Sequence, residues 1–259
     1  MSRKPTVRDF RAMKENGRKI VVITAYDAIF SQIAHEAGCD IILVGDSAGS
    51  TVCGREDTVR VTMEEMLIYS ANVRRGACDA FIVGDMPFLS YQINGDEALR
   101  NAGRFIREGG CDAVKLEGGA EYAGLIARLT GAGIPVMGHI GLLPQKVMAQ
   151  GGYRKTGKTP QDAARLVADA KAIEAAGVFA MVTECMDSET ASTIARSVSV
   201  PVIGIGAGCG VDGQVQVLYD VLGMSDFVPA HGRVCGKLRA EASAAIAEYA
   251  DGVRAEAKG

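Results

Sequence analysis

The sequence predicts an α/β protein folded as a (β/α)8 barrel, the TIM-barrel architecture, with one extra helix near the N-terminus. Short apolar, β-branched segments alternate with longer amphipathic segments along the chain. This pattern is typical of a parallel sheet covered by helices. The alternation repeats about eight times, as a closed barrel requires, within 259 residues. No linker or low-complexity tract divides the chain, so we predict a single domain over residues 1–259.

The apolar segments predict eight strands, each short and without the polar alternation of a solvent-facing sheet. In chain order they are Ile20–Thr24, Ile41–Val44, Phe81–Val83, Ala113–Leu116, Pro135–Gly138, Phe179–Thr183, Val202–Ile205 and Phe227–Pro229.

The amphipathic segments predict the helices that connect these strands. They are Ala28–Ala37, Met63–Arg75, Asp96–Glu108, Glu121–Thr130, Asp162–Ala176, Ser188–Ser197 and Gln214–Leu222. Thr62 and Glu65 form the pattern of a capping box at the start of the second helix. The extra helix, Val7–Asn16, is predicted to cover the lower mouth of the barrel. Gly141–Thr159, which is rich in glycine and basic residues, is predicted to be a long active-site loop.

Composition argues against nucleic-acid and membrane partners. The formal net charge of −3 offers no attraction for polyanions. No apolar segment approaches the length of a membrane span, and none of signal-peptide length follows the basic residues near the N-terminus. The seven cysteines are odd in number and form no CxxC pair. These features predict a soluble cytoplasmic protein with reduced thiols.

Ionisable residues follow five successive predicted strands, at the points where the strands end. They are Asp46, Asp85, Lys115 with Glu117, His139 and Glu184. The functional groups of such barrels lie at the carboxyl ends of the strands, so we expect these side chains to share one rim.

Three of these residues are carboxylates that would repel one another on a common rim. A divalent cation relieves that repulsion, and all-oxygen ligation suits magnesium. We therefore predict a magnesium site at Asp46, Asp85 and Glu117, where the ion could chelate a 2-oxo acid and stabilise its enolate. The alternative is that these acids are surface charges or that Asp46 and Asp85 cap the following helices.

The remaining ionisable residues are candidates for substrate binding and proton transfer. Lys115 lies within an apolar strand, where a buried ammonium group needs a partner, which could be a substrate carboxylate or a barrel acid. His139 is either a site residue or a core histidine. Glu184 is a candidate general base, or else part of a salt bridge with Lys115. The glycine-rich run from Gly204 to Gly208 permits close approach of a ligand, but it is not a dinucleotide fingerprint and could be a plain tight turn.

An ordered set of motifs between about Thr6 and about Gly223 resembles the ketopantoate hydroxymethyltransferase family of the phosphoenolpyruvate/pyruvate barrel superfamily. The segments that carry the resemblance are Thr24-Ala25-Tyr26-Asp27, Val44-Gly45-Asp46-Ser47, Asp85-Met86-Pro87-Phe88, Val114-Lys115-Leu116-Glu117-Gly118-Gly119, Gly138-His139-Ile140-Gly141-Leu142, Gly151-Gly152-Tyr153 and Ile203-Gly204-Ile205-Gly206-Ala207-Gly208. The segment Ser225–Gly236 departs from the family pattern.

The resemblance implies hydroxymethyl transfer from 5,10-methylenetetrahydrofolate to 3-methyl-2-oxobutanoate, giving 2-dehydropantoate on the route to pantothenate and coenzyme A. It implies Mg2+ bound by Asp46, Asp85 and, directly or through water, Glu117. It further implies that Ser47, Lys115 and His139 contact the 2-oxo acid, with Asp46 and Asp85 beside it, and that Glu184 removes the C3 proton. A cytoplasmic homo-oligomer, often a decamer, is also typical of the family.

Other interpretations remain open from the sequence. A paralogue or superfamily relative would perform metal-dependent enolate chemistry on another 2-oxo acid. The nucleophilic cysteine loop of isocitrate-lyase-like enzymes is not recognisable in this sequence. A non-catalytic barrel would be marked by loss of one of the acids, and all of them are present.

Overall fold

Eight parallel strands close into a barrel in the computed structural model, which describes residues 3–256. The strands are β1 (Ile20–Thr24), β2 (Ile41–Val44), β3 (Phe81–Asp85), β4 (Ala113–Lys115), β5 (Val136–Gly141), β6 (Ala180–Glu184), β7 (Val202–Ile205) and β8 (Gly213–Gln216). Each strand pairs with its neighbours in chain order, and β8 returns to pair with β1 through Ile20 opposite Gly213. The predicted (β/α)8 barrel is therefore confirmed.

Most of the helices follow the strands and cover the outside of the barrel. The helices are α1 (Val7–Glu15), α2 (Ala28–Glu36), α3 (Ala48–Thr51), α4 (Met63–Gly76), α5 (Gly95–Arg107), α6 (Ala123–Gly131), α7 (Val147–Gln150), α8 (Pro160–Ala175), α9 (Ser188–Ser197), α10 (Leu218–Val221) and α11 (Leu238–Glu256). The capping box predicted at Thr62 and Glu65 is present at the start of α4.

The apolar core has two layers because alternate residues of each strand point to opposite faces of the sheet. The inner layer fills the barrel with side chains from every strand, among them Val22, Leu43 and Met137. The outer layer lies between the sheet and the helices and includes Val44 and Ile82. Most strands are therefore buried on both faces, which explains their continuously apolar sequences.

Helix α1 closes the amino-terminal end of the barrel, as predicted for the extra helix. Its Phe10 side chain is fully buried and packs edge-on against Phe81, with ring centroids 4.9 Å apart. Phe179 joins the same aromatic cluster. This apolar plug separates the lower mouth from the polar rim at the other end.

The predicted eighth unit is wrong. The segment Phe227–Pro229 lies in an irregular loop, and the eighth strand is β8, most of which falls within the segment predicted as the helix Gln214–Leu222. Strand β8 buries Val215, while Gln214 on its other face is exposed. Its pairing with both β1 and β7 supplies the stability that its weakly apolar sequence lacks.

Other features also depart from the sequence predictions, among them the short helix α3, which no predicted helix covers. The segment Gly141–Thr159 does form a connection at the rim, but it contains a 3-10 turn at Pro144–Lys146 and the short helix α7. The long helix α11 is absent from the sequence prediction, and none of its described residues is buried. Nowhere between residues 3 and 256 does a helix combine the length and apolar character needed to cross a bilayer.

Candidate active site

The six ionisable residues predicted at the strand ends lie together at the carboxyl end of the barrel. Their positions follow from the strand register, which sets Asp85 beside Lys115 on β3 and β4, and Gly141 beside Glu184 on β5 and β6. Five of the six side chains are buried, whereas that of Glu184 is partly exposed. The fold therefore brings together the cluster that the strand ends predict.

The three carboxylates of this cluster occupy neighbouring strand ends. The backbone N–H of Asp46 donates to Asp85 Oδ2 at 3.3 Å, which ties the ends of β2 and β3 together. Neither aspartate is the N-cap residue of the helix that follows it, since Ser47 precedes α3 and Asn94 caps α5. The alternative of helix capping is therefore not supported by the geometry.

Lys115 lies among these carboxylates. Its Nζ atom is 2.8 Å from Asp85 Oδ1, so its partner is Asp85 and not Glu184. Burial would lower the pKa of Lys115, but the carboxylates of Asp85, Glu117 and Asp46 outweigh burial and raise it. Burial also raises the pKa of Asp85 to about 7, against the lowering effect of Lys115. The same cause holds the pKa of Glu117 well above its ordinary range.

His139 connects the lysine to the glutamate of β6. Its Nδ1 atom is 3.2 Å from Lys115 Nζ. Because an ammonium group only donates, Nδ1 must accept, and the ring proton lies on Nε2. Nε2 is 3.3 Å from Glu184 Oε2, although off the direction of a good hydrogen bond. Burial and the charge of Lys115 lower the pKa of His139, which favours the neutral ring.

Ser47 is half-buried beside this cluster. Its hydroxyl is 2.8 Å from the hydroxyl of Tyr26, which donates to Thr24 Oγ1 at 2.9 Å. Thr24 also accepts from the backbone N–H of Leu218. Tyr26 thus connects Ser47 to the junction between β1 and β8.

Gln145 is a buried site residue that the sequence interpretation does not identify. It lies in the 3-10 turn after β5, and its amide Nε2 donates to Asp46 Oδ2 and to the carbonyl oxygen of Met86, both at 3.0 Å. Its backbone N–H donates to Glu117 Oε2 at 3.1 Å. The sequence offers one indication of this role, since Gln145 lies within Gly141–Thr159, which is predicted to be an active-site loop.

The glycine-rich turn after β7 lies next to the predicted base. A side chain at Gly206, which has φ +64°, would meet the His231 ring at 3.0 Å and Cys185 Sγ at 3.4 Å. Cys185, directly after Glu184, has a positive φ of 43°, a conformation that costs energy for residues other than glycine. Burial raises the pKa of Cys185 to about 11, so its thiol is not activated as a nucleophile.

The residues present fit a magnesium ion. Among residues 3–256, no group of three or more His, Cys, Asp or Glu side chains is arranged so that it could hold a metal ion by itself. Magnesium, however, retains several waters and needs only one or two protein carboxylates. Glu117 Oε1 is buried without a hydrogen-bond partner, and Asp85 Oδ1 has the ion-pair contact with Lys115 but no well-directed hydrogen bond. Buried oxygens left in this way are suited to bind a hard cation.

Comparison with known proteins identifies the family of this sequence. Residues 4–257 match the family model described as ketopantoate hydroxymethyltransferase. The chain is 48% identical to the 3-methyl-2-oxobutanoate hydroxymethyltransferase of Anaeromyxobacter sp. (strain Fw109-5), over 97% of this chain and 84% of the relative. It is 49% identical to the protein of the same name from Pseudothermotoga lettingae, over 96% of this chain and 94% of that relative.

Solved structures with the same fold are more distant in sequence. A phosphonopyruvate hydrolase in complex with oxalate and Mg++ aligns with a TM-score of 0.64 at 15% identity, over 99% of this chain and 88% of its own. The phosphoenolpyruvate phosphomutase of Streptomyces platensis subsp. rosaceus aligns with a TM-score of 0.63 at 16% identity, over 84% of this chain and 82% of its own. These two similarities concern the fold alone. The match of the family model and the identity to its members show that this chain belongs to the ketopantoate hydroxymethyltransferase family.

Proposed function

We propose that this protein transfers a hydroxymethyl group from 5,10-methylenetetrahydrofolate to 3-methyl-2-oxobutanoate and so makes 2-dehydropantoate. The observation that carries the proposal is the arrangement of the rim, where Glu184 lies beside His139, and the carboxylates of Asp85, Asp46 and Glu117 lie around Lys115. In such a rim, Glu184 can accept a proton on one side, and the acidic cluster with Lys115 can bind a chelated anion on the other. The relatives described above carry the name of this reaction.

Asp46 and Asp85 would hold Mg2+, with Glu117 acting directly or through a water. The ion supplies Lewis-acid polarisation of the keto oxygen of the substrate. The local support for this assignment is the pair of buried oxygens without a well-directed hydrogen bond, Asp85 Oδ1 and Glu117 Oε1. Lys115 and Ser47 would contact the 2-oxo acid, since both lie next to the acidic cluster.

Glu184 would remove the proton from C3 of the substrate. Its partial exposure leaves the carboxylate free to reach a ligand in the barrel mouth, and the Nε2–H side of His139 faces its Oε2 atom. This contact would keep the carboxylate turned towards the barrel mouth, where a general base must lie. The tautomer of His139 is set from its other face by Lys115, so the base is positioned by the same lysine that pairs with Asp85.

The enolate formed by proton loss would attack the methylene carbon of the folate. One C–C bond forms, both C–N bonds to the transferred carbon break, and a water supplies the hydroxyl oxygen, so tetrahydrofolate leaves as the second product. The part of the rim formed by β7, β8 and β1 carries none of the ionisable residues predicted at the strand ends. The folate would therefore lie against this part of the rim, opposite the acidic cluster.

The test is exchange of the C3 proton of 3-methyl-2-oxobutanoate in heavy water, followed by NMR with and without Mg2+. We expect exchange that depends on the metal and that falls about 100-fold or more in Glu184→Gln, as for loss of a general base. Glu189→Gln, at an exposed position of α9, is the matched control. If the wild-type protein with Mg2+ and tetrahydrofolate gave no exchange, the proposal would be wrong, and another 2-oxo acid would be tested next.

We propose, in addition, that the protein works in the cytoplasm as a homo-oligomer, with a decamer as the form typical of the family. Seven free cysteines support a reducing compartment. Ile246 and Tyr249 are exposed on α11, which buries no described residue against its own barrel. Such an apolar helix face is typical of a subunit contact. Light scattering should give a mass several times that of the chain, and a monomeric mass would contradict this part.

A further inference from the structure

Gln145 uses every hydrogen-bonding atom of its side-chain amide, although it is neither a candidate ligand nor a candidate base. The residue is 2% exposed. The two Nε2 protons are donated to Asp46 Oδ2 and to the carbonyl oxygen of Met86. The Oε1 atom accepts from Nε2 of Gln92 at 3.1 Å and lies 3.1 Å from the hydroxyl of Tyr91, whose single proton it shares with the carbonyl oxygen of Glu117. The amide therefore joins the ends of β2 and β3 to the loop after β3.

The orientation of this amide is fixed by its partners. A flipped amide would turn its NH2 group towards the Gln92 NH2 group and its oxygen towards two other oxygens, those of Asp46 and Met86. Those contacts are repulsive, so one orientation is allowed. Because the amide is held on three sides, it also fixes the direction of the Asp46 carboxylate.

Gln145 holds a second carboxylate through its main chain. Its backbone N–H donates to Glu117 Oε2, and the hydroxyl of Tyr91 accepts from the backbone N–H of Glu117 at 3.2 Å. The other oxygen of this carboxylate, Glu117 Oε1, is buried without a hydrogen-bond partner. One residue thus holds one oxygen of Asp46 and one oxygen of Glu117. Glu117 Oε1 is left to meet a ligand.

We propose that Gln145 is a positioning residue that holds Asp46 and Glu117 in the orientation that binds the divalent cation. This inference rests on the proposed function, because the cation is the one that the reaction requires. It gives the loop after β5 a role beyond covering the site, since the 3-10 turn of this loop carries the group that aligns the carboxylates. Groups that orient metal ligands in this way typically change metal affinity about 10- to 100-fold when they are removed.

The experiment measures Mn2+ binding to the metal-free enzyme by electron paramagnetic resonance, without substrate. Gln145→Met keeps the length of the side chain and removes both Nε2–H donors, while the backbone N–H remains. We expect the Mn2+ dissociation constant of this variant to rise about 10-fold or more. The Mg2+ concentration for half-maximal C3 exchange should rise in parallel, while the rate at saturating Mg2+ should recover to within about threefold. Tyr91→Phe removes one of the two contacts of the amide oxygen and the hydroxyl that accepts from the Glu117 backbone N–H. It should give a smaller rise of about threefold by the same reasoning.

The controls separate positioning from general destabilisation. Leu129→Ala removes a fully buried side chain of α6 and should lower thermal stability without changing the Mn2+ dissociation constant. The proposal is overturned if Gln145→Met binds Mn2+ within about twofold of the wild type, or if Leu129→Ala weakens binding equally. If Gln145→Met does not fold, an unchanged Mn2+ dissociation constant in Tyr91→Phe overturns the proposal.

The same measurements distinguish failure of this inference from failure of the proposed function. If the wild-type enzyme enolises its substrate in a metal-dependent way and the variants bind Mn2+ as tightly as the wild type, only the role of Gln145 is disproved. Wild-type enzyme that binds no cation disproves the proposed metal site as well.

Discussion

At the scale of single residues, the buried ammonium group of Lys115 offsets the charge of the acids around it. Lys115 is 4% exposed, and its ion pair with Asp85 reduces the repulsion among Asp85, Asp46 and Glu117. Breaking a buried ion pair from one side leaves an uncompensated charge, and this typically costs about 3–5 kcal/mol. Loss of the lysine is therefore expected to destabilise the protein before any ligand is bound.

Replacement of Lys115 by methionine should destabilise the metal-free protein by about 3 kcal/mol. Mg2+ should raise the melting temperature of this variant more than that of the wild type, because the cation then replaces the missing positive charge. Differential scanning calorimetry in EDTA and in Mg2+ measures both effects. The control is Lys146→Met, which removes a partly exposed pair with Glu121 and should cost at most about 1 kcal/mol. An equal Mg2+ shift in Lys115→Met and wild type would contradict the expectation.

At the scale of elements, the capping box of α4 stabilises the helix start through one carboxylate. Glu65 accepts from the backbone N–H of Thr62 and also from Arg55. The hydrogen bond from Arg55, followed by that from Thr62, lowers the pKa of Glu65 from 4.5 to about 2. The folded protein therefore stabilises the ionised carboxylate relative to the unfolded chain.

Glu65→Gln should lower the free energy of unfolding at pH 7 by about 1 kcal/mol. A pKa that is lower in the folded state gives stability that is complete above about pH 5 and is lost as the pH falls towards 2. The difference between wild type and variant should therefore shrink over this range of pH. Urea titrations at several pH values measure it, with Glu248→Gln on the exposed face of α11 as control. A difference that stays constant from pH 7 to pH 3 would disprove the assigned cause.

At the scale of the whole molecule, the apolar plug and the candidate site lie at opposite ends of the barrel. The aromatic cluster of Phe10, Phe81 and Phe179 closes the amino-terminal end, whereas the candidate site lies at the carboxyl ends of the strands. Separation of stability from chemistry in this way is general in such barrels. It predicts that the two ends respond differently to mutation.

Phe10→Ala should lower the free energy of unfolding by about 3–5 kcal/mol, because it opens a cavity in a fully packed layer. The rate of C3 exchange per folded molecule should remain within about twofold of the wild type at a temperature where the variant is folded, since the rim keeps its supports. Urea unfolding and the exchange assay measure the two quantities. A large loss of exchange in the folded variant would show that the plug also controls the site.

Residues at the ends of apolar strands are predictable from the sequence because two signals coincide there. Asp46, Asp85 and Glu184 each lie at or just beyond the end of a continuous apolar segment, so the fold rule alone places them on one rim. Gln145 lies in a loop without periodicity, and its role depends on partners from three other segments. Such a role arises from tertiary structure and leaves no local pattern.

Strand β8 and helix α11 are missing from the sequence prediction for different physical reasons. Strand β8 contains two glutamines and a glycine, so its sequence lacks the apolar run of a central strand, and its identity comes from pairing with β1 and β7. Helix α11 is rich in alanine and glutamate, and its high helix propensity is visible in the sequence. It follows no strand, so the alternation of strands and helices does not include it.

The closing pair of strands also affects how the protein is made. Strand β1 is synthesised first and β8 last, and the bond between Thr24 and Leu218 joins positions 194 residues apart. Until the ribosome has released β8, the growing sheet has two open edges, and exposed edges promote association with other chains. Folding is therefore completed late, since contacts between distant segments form slowly. A message truncated shortly before β8 would yield a sheet that cannot close, and we expect such chains to aggregate or to be degraded.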